Sequence, residues 1–415
     1  MHHVKTEKHA DQVYLSYPYL VTFSERATTI FEIQPPSSLR RITCLSQTIT
    51  GYLQDGAVIN KIVVFNLHAG ELQNTLSLFG QVTDAPIQYD HGRVLVTVSD
   101  ETEEDGETKE DFWILACNPF DLEPAGYSFL TQIRRPCTEQ HMLYSHIFPS
   151  RNHGLVVAQH TALTQQPLKL HYWSPEGQPY DESLPPSRTI EIPITLDDAG
   201  SMEARHAVAI NDDTLAFSTV ETVLDFLDGP GIYQSIIHVA SLPSLEILWS
   251  SEPIDGEAKH VYHAVNEGIV LAIGIASERD DPDADSPDYA TWLVALDAQN
   301  GKRRQFTKLN HRKIGKELVE CSLTTSVTDV GEVMTSNAPD IVFVSSKGEV
   351  TALPLSKFLE DGLPSDDAIV LERSCHSSGL HLKDIFRLTS SRRASLGHKT
   401  AVVVDDEGVV SLFTW

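Results

Sequence analysis

The chain is short of positive charge. Its 415 residues hold 31 Lys and Arg against 58 Asp and Glu, a formal net charge of −27. Binding to a phosphate backbone is driven largely by counterion release at Lys and Arg, so a balance of this sign argues against nucleic acid and against an anionic membrane as partners. Cysteine is also scarce. Cys44, Cys117, Cys137, Cys321 and Cys375 are odd in number, far apart, and form no Cys-x-x-Cys pair, which excludes a disulfide framework and a zinc site read from spacing. The longest apolar run, Gly268 to Ala276, is about half of the roughly twenty residues that span a bilayer. The opening Met1-His2-His3-Val4-Lys5 lacks the apolar core of a secretory signal, and there is no Asn-x-Ser/Thr acceptor. An intracellular protein, cytoplasmic or nuclear, is expected.

Linear signatures of chemistry are missing too. There is no Gly-x-Ser-x-Gly elbow, no phosphate-binding loop, no dinucleotide fingerprint and no His-Glu-x-x-His. The histidines His141, His146, His153, His160 and His171 follow no ligand spacing. Asp281-Pro282-Asp283-Ala284-Asp285 alternates carboxylates as a calcium loop does, but Ser286 stands where the tight turn needs glycine and Trp292 where the bidentate glutamate belongs. The expectation is a protein with no catalytic residue, cofactor or metal.

Long amphipathic helical patterns are nearly absent, whereas short β-branched and aromatic runs bounded by Gly, Asp, Asn and Pro recur throughout. They come in pairs, each resembling the middle strands of a four-stranded antiparallel sheet. The pairs are Tyr19 to Phe23 with Thr29 to Ile33, Ile49 to Leu53 with Lys61 to Phe65, Arg93 to Val98 with Phe112 to Ala116, and Gly154 to Ala158 with Lys169 to Trp173. Thr214 to Ser218 with Ser235 to Val239, Ile269 to Ile273 with Thr291 to Leu296, Asp340 to Val344 with Glu349 to Leu353, and Thr400 to Val404 with Val409 to Phe413 complete them. From the third pair on they repeat at about sixty residues, the interval of a β-propeller blade with enlarged loops. Charged runs such as Leu72 to Leu78, Tyr127 to Ile133, Thr189 to Ile194 and Leu245 to Trp249 supply outer strands.

The fold expected is therefore an all-β propeller of seven blades, with eight possible because the first two pairs are too close for two full sheets. An open edge exposes unpaired backbone groups, so N- and C-terminal strands are expected to share a blade and close the ring. Residues 1–12 read as a disordered tail and 13–415 as one domain.

The repeat resembles WD-type β-propellers in organisation, with Val63-Val64-Phe65-Asn66-Leu67 nearest to a blade-end strand, although the Gly-His and Trp-Asp dipeptides are missing. The segment Leu15 to Ser24, followed by Thr29 to Ile33, is similar to a stretch in the propeller halves of fungal F-box proteins. That resemblance implies a substrate-recognition module of a ubiquitin ligase, whose helical F-box residues 1 to 12 are too few and too polar to supply.

Two surface motifs stand out. Arg392-Arg393-Ala394-Ser395-Leu396-Gly397 is similar to the preferred substrate of basophilic kinases, since two arginines before a serine suit acidic kinase pockets; Ser395 is expected in a polar loop from Thr389 to Lys399. Lys302, Arg303, Arg304, Lys308, Arg312 and Lys313 form a basic stretch in an acidic chain. It reads either as a docking patch for an acidic partner or as a solvated outer strand balancing neighbouring carboxylates. The function expected is a monomeric, non-catalytic protein-interaction scaffold that favours basic partner surfaces. The alternatives are the ligase module and, behind it, a propeller hydrolase or lyase with carboxylates and histidines gathered at a central channel.

Overall fold

The computed structural model describes the backbone of the strands and short connections within 2–4, 12–46, 53–136, 143–223, 232–278, 288–310, 318–362 and 394–414, with gaps between elements. Side chains are described chiefly from 146 to 310 and at 340–343 and 353–362.

The chain is all-β among the described residues, apart from one short helix, Leu355–Asp361. Among the described residues there are four four-stranded, two five-stranded, one three-stranded and three two-stranded sheets, and every pairing is antiparallel between strands close in sequence or at the chain ends. Three successive sheets carry the described side chains. The 143–192 sheet runs Leu143–Phe148, Leu155–Thr161, Leu168–Trp173 and Arg188–Ile192. The 201–255 sheet runs Ser201–Asn211, Thr214–Val223, Ile232–Ser241 and Ile247–Ser250, with Ile254–Asp255 also on its third strand. The 257–310 sheet runs Glu257–Ala264, Ile269–Glu278, Asp288–Asp297 and Arg303–Asn310.

Middle strands in these sheets are apolar on both faces because both faces are covered. In the 201–255 sheet, Leu215, Phe217 and Ala240 face a core shared with Val156, Leu170 and Tyr172 of the preceding sheet. The alternate residues Ala216, Val220, Ile237 and Val239 face a core shared with Val270, Ala272, Trp292 and Val294 of the following one. The 257–310 sheet repeats the arrangement, sending Leu271, Ile273 and Leu293 into a third core with Ile341, Phe343 and the helical Leu355 and Phe358. Period-two alternation thus assigns odd and even positions to two neighbours, and each fully buried Val, Leu, Ile or Phe stabilises by about 1.5–3 kcal/mol.

Polar side chains tie strands together inside this apolar frame. On the third strand of the 143–192 sheet, His171 joins Gln159 of the second strand (2.9 Å) to Thr189 of the fourth (3.0 Å). On the third strand of the 201–255 sheet, His238 joins Thr219 (2.9 Å) and Ser250 (2.8 Å) in the same way. Burial holds both rings uncharged, with pKa values lowered to about 4; the Lys169 charge adds to the effect at His171. The 257–310 sheet uses bulk instead. Trp292, fully buried, lies across Gly274, where a Cβ would stand 2.1 Å from the indole, and against Gly256, whose φ of +113° also suits glycine alone.

The chain ends meet in one sheet. Ala394–Gly397, Thr400–Val404 and Val410–Thr414 are joined by His2–Val4, which pairs His2 with Leu412 and Val4 with Val410. This N-terminal strand comes from within the stretch read as a tail, because backbone pairing alone recruits a segment whose side chains give no strand signal. Gln12–Ser16, first strand of the 12–46 sheet, packs on Ala394–Gly397 and Thr400–Val404.

Three readings of the sequence change. Asn60–Asn66 pairs with Glu71–Leu78, and Leu53–Gln54 pairs with Ala57–Val58, while residues 49–52 of the run beginning at Ile49 lie outside those described. The acidic run 101–111, between the strands expected at 93–98 and 112–116, belongs to the ladder: Arg93–Glu104 and Glu107–Cys117 stay paired down to Glu104 and Glu107. Ser395 lies in the strand Ala394–Gly397, opposite Val402, where a loop was expected. The calcium-like residues 281–285 lie outside the described residues. Among the described residues no helix is long and apolar enough to cross a membrane.

Candidate functional site

Three tight turns from the 201–255 and 257–310 sheets converge at one end of the shared core. Each is set by local chemistry. The Asn211 side chain accepts from the Asp213 N–H (2.9 Å), Asp297 from Gln299 (3.0 Å) and Asn300 from Lys302 (2.9 Å), the Asx geometry that fixes a turn without long-range help. Gly268 at φ +60° ends the 265–268 turn and its carbonyl accepts from the Ala298 N–H (3.0 Å), holding the second and third turns together.

Between them lies an open groove of about 650 Å3, with Ile210, Val239, Leu248, Trp249 and Val265 as its apolar wall. Trp249 is fixed by donating from Nε1 to the Ala298 carbonyl (3.2 Å) and by its ring packing on Gly301, where any Cβ would come within 2.6 Å. Leu248 and Val265 are 52% and 56% exposed, the largest apolar exposures among the described residues. Leaving them in water forgoes about 25 cal/mol for every Å2 of apolar surface.

The rim is acidic. Asp297 lines the groove, Asp212 and Asp213 stand exposed in the turn beside the lining residues Asn211 and Thr214, and Glu267 lies between Val265 and Gly268. The single lining cation, Arg304, is committed to Asp297 (2.6 Å) and to the Glu267 carbonyl (3.0 Å). Its hydrogen bond holds the Asp297 carboxyl below the usual range, helped by the Gln299 and Asn300 backbone N–H groups. Thr214 Oγ1 and Glu267 Oε2 are buried with no hydrogen-bond partner.

Of the basic stretch, Lys302, Arg303, Arg304 and Lys308 lie on or beside the outer strand Arg303–Asn310, with Arg312 and Lys313 outside the described residues. The strand alternates exposed and half-buried positions before turning inward at Leu309 and Asn310. Arg303 reaches Glu252 (3.0 Å) and stacks over Phe306 (5.3 Å to the ring centre), and Arg304 is paired as above. At surface exposure such pairs contribute about 0–1 kcal/mol each. Arg392 and Arg393 lie outside the described residues, so Ser395 is placed by its backbone alone.

A second polar assembly runs along the first strands of the three sheets and takes in His160 of the second strand of the 143–192 sheet. His146 and His160 stack at 6.0 Å, His160 Nε2 approaches Glu203 (3.9 Å), Glu203 pairs with Arg205 (2.6 Å), and Glu257 is reached by Arg205 (3.7 Å) and Lys259 (2.6 Å). Desolvation, aided by the Arg205 charge, lowers His146 to about 4; His160, also opposed by His146, falls to about 3, and burial raises Glu203. Both cations already face carboxylates, and the histidines stay neutral at physiological pH. The assembly therefore crosslinks sheets without presenting an open charge to a ligand. Among the described residues no group of three or more His, Cys, Asp or Glu could hold a metal ion.

Sequence reasoning missed the groove because its parts are scattered from Ile210 to Arg304. Two signals were present. Ile247-Leu248-Trp249 sets three apolar residues where strand alternation leaves one to face water, and Val265 is apolar within a turn of Asn, Glu and Gly.

No family model matches the chain, and no curated protein matches it. Among solved structures it is similar to the Dos1 propeller, at 11% identity over 99% of this chain and 93% of that one, with a TM-score of 0.46. It is also similar to the C-terminal WD40 domain of Sif2 (10% identity, 100% and 98% covered, TM-score 0.38). A third is the β-propeller domain of Myceliophteria thermophila Cps50 (Swd1), at 10% identity, 100% and 99% covered, with a TM-score of 0.36.

Proposed function

We propose that this chain is a non-catalytic protein-binding platform: a β-propeller in which stacked sheets close through the terminal sheet into a rigid ring. The observation that carries the binding role is the pair of exposed apolar residues, Leu248 and Val265, lining one groove between two sheets buried on both faces. A rigid support lets such a groove bind without the entropic cost of ordering it, and exposed apolar surface around a cavity marks a contact site. The acidic rim and the net charge of −27 favour basic partner surfaces by steering and complementarity. The seven-bladed count, a single domain that takes in His2–Val4, a monomeric state and residence in cytoplasm or nucleus belong to the same proposal.

The test compares wild type with the Leu248→Glu/Val265→Glu variant, both tagged and incubated with cell lysate. The expected result is a set of proteins captured by wild type and lost from the variant, with circular dichroism unchanged. Identical capture by the two would sink the platform reading. Ser395 enters as a modification site for a basophilic kinase that acts when the short strand 394–397 unpairs. A phosphorylation assay checks this: a peptide of residues 389–399 should be labelled faster than the folded chain, and Ser395→Ala should abolish labelling of both.

A further inference from the structure

We propose that the groove takes a short extended segment of another protein in which an aliphatic side chain is flanked by lysine or arginine. This rests on the platform reading and names its ligand. Leu248, Trp249 and Val265 form an apolar seat, and about 650 Å3 of open space accommodates one or two large aliphatic side chains rather than a helix face. Asn211 and Gln299, at the groove's two polar shoulders, offer both donors and acceptors to the backbone of an extended chain.

Charge selects the flanking residues. Asp297 lines the groove, Asp212, Asp213 and Glu267 adjoin the lining residues Asn211, Thr214 and Gly268 in the chain, and Arg304 is already held by Asp297 and the Glu267 carbonyl. A partner carboxylate would meet this rim uncompensated, whereas an ammonium or guanidinium would find acceptors on either side. Thr214, a lining residue, carries a buried Oγ1 without a partner, a polar group that an incoming chain can satisfy.

The test is selection of random dodecapeptides displayed on phage against the immobilised full chain, followed by fluorescence anisotropy of the enriched peptides. The expected sequences carry Leu, Ile or Met beside Lys or Arg. Their binding should weaken at least roughly tenfold in Leu248→Glu, as for a central apolar contact. It should weaken severalfold in Asp212→Asn/Asp213→Asn, and fall as salt is raised. The Asp variant alters only exposed turn residues, so it keeps the test valid if Leu248→Glu misfolds. Enriched peptides that are acidic or uncharged, no enrichment, or affinities unmoved by either variant would overturn the inference. Acidic or uncharged peptides that still lose binding in Leu248→Glu overturn the ligand chemistry alone, while unchanged lysate capture overturns the platform itself.

Discussion

The 201–255 and 257–310 sheets share a strand order, yet their third strands are anchored by opposite means, a polar bridge on the face turned to the preceding sheet in one and an aromatic plug in the other. In the first, His238 hydrogen-bonds Thr219 on one side and Ser250 on the other, as His171 does with Gln159 and Thr189 one sheet earlier. In the second, Trp292 fills the space left by two glycines, and its Nε1 is buried without an acceptor. A polar bridge sets strand order by pairing donors with acceptors but depends on the protonation state of the imidazole. A tryptophan over glycine depends on shape alone and is indifferent to pH.

Acid should separate the two devices most strongly. His146, His160, His171 and His238 all have lowered pKa values, about 3 to 4 against the ordinary 6.5, and all lie in the 143–192 and 201–255 sheets. The unfolded chain takes up protons below pH 6.5 that the folded chain refuses, so stability is full above that pH and drains as the pH falls toward 4. The slope is roughly 1.4 kcal/mol per pH unit for each histidine. Urea unfolding over a pH series measures it; a flat profile between pH 6.5 and 4.5 would break the comparison.

Trp292→Ala should cost about 3–5 kcal/mol through the cavity it leaves, by a similar amount at neutral and mildly acidic pH. Gly274→Ala, which sets a methyl against the indole, should cost about 1–3 kcal/mol, and pairing it with Trp292→Phe should recover part of the loss in a double-mutant cycle. His238→Gln should cost about 1–2 kcal/mol at neutral pH yet reduce the acid slope by one histidine's share. Leu248→Glu, at an exposed position, should shift stability by no more than about 0.5 kcal/mol while removing partner binding.

Much of the strand pattern could be read from the sequence, because alternation in stretches such as Ile269 to Ile273 and Thr291 to Leu296 reports directly on two covered faces. Elements held by backbone pairing escaped it. His2–Val4 has no apolar signal of its own, and the acidic strands place Asp100 opposite Asp111 and Glu101 opposite Glu110, a like-charge ladder that composition alone assigns to loop. The histidine bridges could not be read either, since Gln159, His171 and Thr189 share no spacing rule until the register is known. Within the basic stretch, the carboxylates that neutralise Arg303 and Arg304 come from Glu252 and Asp297, the first of them on a different sheet's connection.

Hydrogen exchange of the full chain, with and without a protein captured by wild type and lost from Leu248→Glu/Val265→Glu, tests the docking role most directly. The expected result is new protection confined to the turns and strand lining the groove, at 211–214, 247–250, 265–268 and 297–302. Protection that spares these segments and falls elsewhere, for instance on the first-strand network from Glu203 to Lys259, would contradict it.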